Sequence, residues 1–238
     1  MKKIRIDKLL ANLGYGSRKD VGYAVKAGAF MLNDKVITDP SHLIPADAAG
    51  AMLDGEPLDP VSPLSLLLHK PRHYTCSHDE AGLIVYDLLP PRWQRRSPTL
   101  STAGRLDKDS TGLVLITDDG DLLHKIISPK HHVWKQYHVT LRDPLKGTET
   151  ELFKTGTFTF ANDHVPLKPA HWIAESPTSG FMSLQEGRYH QIRRMFEALG
   201  NEVVTLHRLR IGGLHLGTLQ PGEYRVLSAD DLVALFAD

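Results

Sequence analysis

The stretch AGRLDKDSTGLVLITDDGDLL, residues 103–123, sets five aspartates (Asp107, Asp109, Asp118, Asp119 and Asp121) around an apolar run. Carboxylates at that density suggest metal ligation, paired acid–base work or a single nucleophile. Asp107, Asp109, Thr111, Gly112 and Asp118 fall at positions 1, 3, 5, 6 and 12 of a calcium loop. Position 12 wants a bidentate Glu, however, and the intervening LVLIT has the composition of a strand, so calcium is set aside. A glycosidase would need two carboxyls in one pocket, whereas Asp107 and Asp109, as alternate residues of an extended loop, point apart. Asp109 is read as organising its own turn. Asp118, Asp119 and Asp121 are read as a turn and the start of a helix, where acids suit the helix dipole. For Asp107, two places after Arg105 on a loop that enters a strand, a functional role competes with capping a turn.

Two further segments carry chemistry. EGRYHQIRRMF (residues 186–196) reads as a turn and helix, with Arg188, Gln191 and Arg194 on a face away from Ile192, Met195 and Phe196. KQYHV (residues 135–139) puts Tyr137 between cations in a strand pattern. Cations interleaved with an aromatic suit single-stranded or extruded bases, which stack on rings while phosphates meet charge. His131, His132 and His138 lack metal-ligating companions and are read as polar surface. With no CxxC or HExxH spacing, neither a metal nor a cofactor is expected. Cys76 is the single cysteine, which rules out an internal disulfide framework and fits a reducing cytosol.

The 238-residue chain is neutral, with 28 Lys and Arg against 28 Asp and Glu, but the charge is unevenly spread. Residues 1–35 carry eight cations and three acids, residues 36–60 no Lys or Arg and five acids. Residues 124–138 hold Lys125, Lys130, Lys135 and four histidines with no acid, and residues 188–210 hold five arginines. Such segregation fits a polyanion-binding face balanced by an acidic one. No apolar run is long enough for a membrane helix, and the N-terminus lacks a secretory pattern, so a cytoplasmic protein is expected.

The elements that must position these residues fall into two groups. In residues 1–60, IRIDKLLANLG and, after the N-cap candidate Ser17, RKDVGYAVKAG read as two helices. AFMLNDKVIT follows as a hairpin turning at Asn33-Asp34, then a strand around AMLDGEPL. Leu58–Leu64, rich in proline, reads as a linker. In residues 61–238, strands are expected at Leu64–His69, Gly112–Thr117, Gln136–Leu141, Gly180–Gln185, Glu202–Ile211 and Gly222–Val226. Helices are expected at Leu83–Leu88, Asp121–Ile127, Thr148–Thr155, His190–Leu199 and Ala229–Phe236. The pattern predicts an α+β protein: a small N-terminal α/β module and a larger domain on a mixed, mostly antiparallel sheet with flanking helices.

AGRLDKDSTGLVLITDDG resembles the motif of the RsuA-type pseudouridine synthases, GRLDxxTxGLxLxTxDG. SPKHHVWKQYHVTL, EGRYHQIRRMFEALGNEVVTLHRLRIGGL and LQPGEYRVL continue the likeness in the family's order. The N-terminal RIDKLLANLGYGSRKDV is similar to the RNA-binding domain named after ribosomal small-subunit protein S-four. The resemblance implies cofactor-free isomerisation of uridine to pseudouridine in ribosomal RNA: the glycosidic bond breaks, the base turns, and its carbon 5 rejoins the sugar. Asp107 would attack either carbon 6 of the base or the anomeric carbon, with Arg193 as its cationic partner. Tyr137 would stack on the uracil and Ile192 line its pocket, while Arg105 would fill the gap left by the flipped base. Arg188, Gln191 and Lys70 are expected at the substrate, and Arg5, Lys8, Arg18, Lys19 and Lys26 at RNA phosphates. The details look most like members acting on 16S small-subunit rRNA, in a partly assembled particle and as a monomer. Large-subunit 23S rRNA, or a non-catalytic role in ribosome assembly, are the alternatives. The family's LNKPxG reads LHKPRH here, with His69 for Asn and His73 for Gly, a position where glycine would accept a backbone geometry that histidine resists.

Overall fold

The computed structural model describes residues 2–128, 133–160 and 164–237; Lys130, His131 and His132 lie outside them. The described chain divides into two compact units, one of residues 1–65, 89–101 and 117–119, the other of residues 66–88, 102–116 and 120–238.

The first unit holds β1 (Lys3–Arg5), α1 (Ile6–Asn12), α2 (Arg18–Lys26), β2 (Phe30–Leu32), β3 (Lys35–Val36), β4 (Leu43–Pro45), β5 (Ala51–Leu53) and β6 (Glu56–Pro57). Ile6, Leu9 and Leu10 of α1 and Val21 and Val25 of α2 recur at helical spacing and bury against Phe30, Ile44 and Leu53. Ser17 caps α2: its hydroxyl accepts from the Asp20 N–H (3.2 Å), and the Asp20 carboxylate accepts from the Ser17 N–H (3.1 Å). Asn33 and Asp34, at φ 48° and 63°, make the two-residue turn between β2 and β3 that the sequence predicts. The pairing of β1 with β4 was not expected; both are three-residue strands, too short to show a period.

Leu58–Leu64, expected as a linker, is instead fastened down. Arg92 donates twice to Asp59 (2.6 and 3.0 Å), and Arg96 donates to the Pro60 carbonyl (2.9 Å). Asp118 accepts from the Leu64 N–H (2.7 Å), the Ser62 hydroxyl (3.1 Å) and the Arg96 guanidinium (3.1 Å). Asp118 is therefore not the turn-former that the sequence suggests. It is the counter-ion of a buried arginine, which needs one because desolvating a lone charge is costly.

The larger sheet contains β7 (Ser65–Lys70), β8 (Ser101–Thr102), β9 (Thr111–Thr117), β10 (Lys135–Leu141), β11 (His171–Ser176), β12 (Ser179–Leu184), β13 (Val203–Ile211), β14 (Leu214–His215) and β15 (Tyr224–Val226). Its order is β11-β12-β10-β13-β9-β7-β15, with β14 on β13 and β8 on β9. The β10, β11, β12, β14 and β15 pairings are antiparallel, and β13 with β9 is parallel, as a mixed, mostly antiparallel sheet requires. The flanking helices are α3 (Gly120–Ile127), α4 (Glu149–Lys154), α5 (Gln191–Ala198) and α6 (Ala229–Ala234). The helix expected at Leu83–Leu88 is only a 3-10 turn, Val85–Leu88. β11 escaped the sequence because just one of its side chains, Trp172, is buried, as suits an edge strand. Among the described residues no helix is long and apolar enough to cross a membrane.

Candidate active site

Asp107 sits in the turn between β8 and β9, where the Ser110 N–H donates to its carbonyl (3.0 Å). Lys70, at the end of β7 and fully buried, shapes that turn from inside. Its three ammonium protons go to the carbonyls of Ser110 (2.6 Å), Lys108 (3.1 Å) and Pro71 (3.1 Å). His73 N–H also donates to the Lys108 carbonyl (2.8 Å). His73 holds φ 71°, so the loop keeps a glycine-like conformation with a histidine in place, at a cost of roughly 1 kcal/mol. Gly112 opens β9 at φ 110°, and a Cβ there would lie 2.3 Å from the Arg208 carbonyl oxygen. Only glycine allows β9 and β13 to approach so closely at the base of the turn.

Helix α5 supplies the partners of Asp107. Ile192, Met195 and Phe196 bury one stripe of it, with Phe196 edge-on to Phe153 and Trp172. Arg193 is left half-open beside Asp107. Its Nε donates to Asp107 Oδ2 (3.2 Å) and its Nη1 to the Val203 carbonyl (2.9 Å), which fixes the guanidinium. His190 Nε2 lies 3.2 Å from the other oxygen, Oδ1. The Ser110 hydroxyl is 3.5 Å from both Asp107 Oδ2 and Arg193 Nη2. The carboxylate thus has a cationic or imidazole group on each oxygen and remains partly open.

That opening faces a cavity of about 420 Å³ lined by Thr75, Cys76, Arg105, Asp107, Arg188 and Tyr189, among others. Burial pushes the Cys76 thiol up, so it stays a neutral wall group rather than a competing nucleophile. Lys70 and Lys135 are both held at about 8 by burial, Arg208 adding to the effect. Arg208, itself buried, donates to the Leu113 carbonyl (2.7 Å) and sits 5.9 Å from the Tyr137 ring.

The expected substrate residues divide between wall and interior. Arg105 is exposed on the cavity wall. Arg188 also lines it, but its guanidinium donates to the Val165 (2.8 Å) and Pro166 (2.5 Å) carbonyls and lies 3.5 Å from Glu186. Gln191 is buried, not on an outer face: its side chain accepts from the Arg188 N–H (2.9 Å) and donates to Glu186 (2.8 Å). It ties the backbone of the loop before α5 to Glu186. Ile192 and Tyr137 are buried and lie off the lining, and Lys70 is committed to the loop. Asp109 faces outward, 3.4 Å from Arg72 and 3.2 Å from His73, so the two loop aspartates serve different neighbours. His190 went unnoticed in the sequence because its left-handed φ of 49° and its approach to Asp107 arise only in the fold.

In the first unit, Arg5, Arg18, Lys19 and Lys26 line a second groove with Tyr23, while Lys8 is exposed elsewhere. Arg5 (2.9 Å) and Arg18 (2.9 Å) both pair with Asp7, and Arg5 above all holds that carboxyl below its usual range.

Comparison with known proteins shows the family of the chain. The RNA pseudouridylate synthase family profile matches residues 65–198, more than half of the chain. The chain belongs to that family. The S4 domain profile matches residues 4–48. An uncharacterized RNA pseudouridine synthase of Bacillus subtilis is 40% identical over 235 residues, covering 96% of this chain and 97% of the relative. Ribosomal small subunit pseudouridine synthase A of Escherichia coli K12 is 38% identical over 238 residues, covering 98% and 100%. A crystal structure of a pseudouridylate synthase superposes with a TM-score of 0.68 at 34% identity, over 98% of this chain and 99% of that one. As a pseudouridine synthase with an S4 domain, the chain has the α+β fold and the enzyme class its motifs predict.

Proposed function

We propose that this pseudouridine synthase isomerises uridine in 16S small-subunit ribosomal RNA, with Asp107 as the nucleophile. The observation that carries the chemistry is the Asp107 carboxylate, gripped by Arg193 and His190 yet open to a cavity lined by Arg105. Full-length likeness to enzymes named for the small ribosomal subunit supports the substrate. Arg105, exposed beside the cavity, would occupy the helix position vacated by the flipped uridine, returning part of the unstacking cost. Asp107 would form a bond to carbon 6 of the base or to the anomeric carbon, the N1–C1′ bond would break, the turned uracil would form a C5–C1′ bond, the bond to Asp107 would break, and the carbon-5 proton would be lost while N1 gains one. Tyr137 would meet the uracil only if the cavity deepens toward β10, where it is buried. The module of residues 1–60 would hold RNA phosphates along its Arg5, Arg18, Lys19 and Lys26 groove, with Lys8 adding charge. The enzyme is taken to act as a cytoplasmic monomer on a partly assembled particle.

The test is incubation with protein-free 16S rRNA, partly assembled small subunits and 23S rRNA, followed by carbodiimide mapping of pseudouridine. One new reverse-transcription stop in 16S rRNA is expected. Stops confined to 23S rRNA would overturn the substrate, and none in any RNA would overturn the reaction on rRNA.

A further inference from the structure

Tyr189 is the most exposed large aromatic side chain beside the cavity, at 71% relative exposure, and it lines the same cavity as Asp107 and Arg105. One face of its ring is already used. It lies parallel on the His190 imidazole, with centroids 3.9 Å apart and an interplanar angle of 16°. His190 is itself fixed, in a left-handed conformation at the start of α5 with Nε2 3.2 Å from Asp107 Oδ1. A left-handed histidine is uncommon and is kept where its surroundings impose it, frequently at functional sites. The rings therefore form a rigid two-layer stack anchored on the nucleophile candidate, with its outer face open to solvent. Apolar surface of that kind is unprofitable in free protein but is what a nucleobase seeks once unstacked. Two cations of the same cavity lining, Arg105 and Lys108, would meet the phosphates of the same strand.

We propose that Tyr189 is a base-stacking subsite, taking a nucleobase next to the flipped uridine as the third layer of a base–Tyr189–His190 stack. This rests on the reading of the cavity as the uridine site and adds to it a binding residue outside the reacting group. His190 then acts as a positioning residue, shared between the stack and Asp107.

The test compares wild type with Tyr189→Phe, Tyr189→Leu and Tyr189→Ala, measuring pseudouridine formation on transcribed 16S rRNA across RNA concentration. Removing the ring should raise KM about tenfold in the Ala and Leu variants and leave kcat within about twofold. Phe should restore wild-type KM, since stacking needs the ring and not the hydroxyl. An unchanged KM in Tyr189→Ala, or a Phe variant as weak as Ala, would overturn the subsite. Equilibrium binding of the same four proteins to a uridine-rich single-stranded oligonucleotide separates the two readings. If wild type leaves both transcribed 16S rRNA and partly assembled small subunits unmodified, the substrate assignment fails, yet a Phe-rescued loss of binding would still uphold the stack and equal binding by all four would refute it.

Discussion

Asp107 and Asp118 belong to one short stretch of sequence, each has an arginine partner, and the two pairs are of nearly equal length, 3.2 and 3.1 Å. Their surroundings differ completely. Asp118 and Arg96 are each 1% exposed at the side chain, and Asp118 also accepts from the Ser62 hydroxyl and the Leu64 N–H. Asp107 and Arg193 are 29% and 28% exposed, and Asp107 lines a cavity. An aspartate–arginine contact alone says nothing of role. A carboxylate sealed on every side serves stability, whereas one held firmly and left open can react.

The contrast can be broken in either direction. Asp118→Ala leaves the Arg96 cation buried without its counter-ion, and a stability loss of roughly 3–5 kcal/mol in denaturant unfolding is expected. A loss below about 1 kcal/mol would show that the pair does not fasten the Leu58–Leu64 segment. Arg193→Ala should leave the unfolding midpoint almost unchanged but lower kcat on rRNA by about a hundredfold, with partial recovery in Arg193→Lys. Full activity in the Ala variant would remove Arg193 from the site. A further prediction concerns Lys70, whose folded pKa of about 8 lies below its ordinary 10.5. Between these values the unfolded chain binds the proton more readily, so the penalty for burying the charge is full below pH 8 and fades toward pH 10.5. Wild type should therefore gain stability relative to Lys70→Met as pH rises through that window; a gap that widens in the variant's favour would contradict the buried-cation description.

Much of this was legible in the sequence, and the remainder fails for identifiable reasons. The helices of the first unit, the Asn33-Asp34 turn and the strands around Tyr137 and Arg208 follow from local periodicity and turn chemistry. Asp107 and Arg193 were found through motifs 86 residues apart, and the fold brings them together. Asp118 was misread because its partners Ser62, Leu64 and Arg96 are distant in sequence, while a TDDGD run looks locally like a turn. Gln191 is placed outward by helical spacing, which does not show that its side chain folds back onto the preceding loop at Arg188 and Glu186. Lys70 is expected at the substrate from sequence, but its ammonium is consumed by three carbonyls that only the folded loop presents.

The most direct measurement is the activity of Asp107→Asn on 16S rRNA at matched folding and matched RNA binding. Asn keeps the size and hydrogen-bonding reach of the side chain but removes the nucleophilic charge. Loss of pseudouridine formation by roughly a thousandfold or more, with an unchanged unfolding midpoint, is the predicted result. An Asn variant that modifies the RNA at the wild-type rate would contradict the assignment of Asp107.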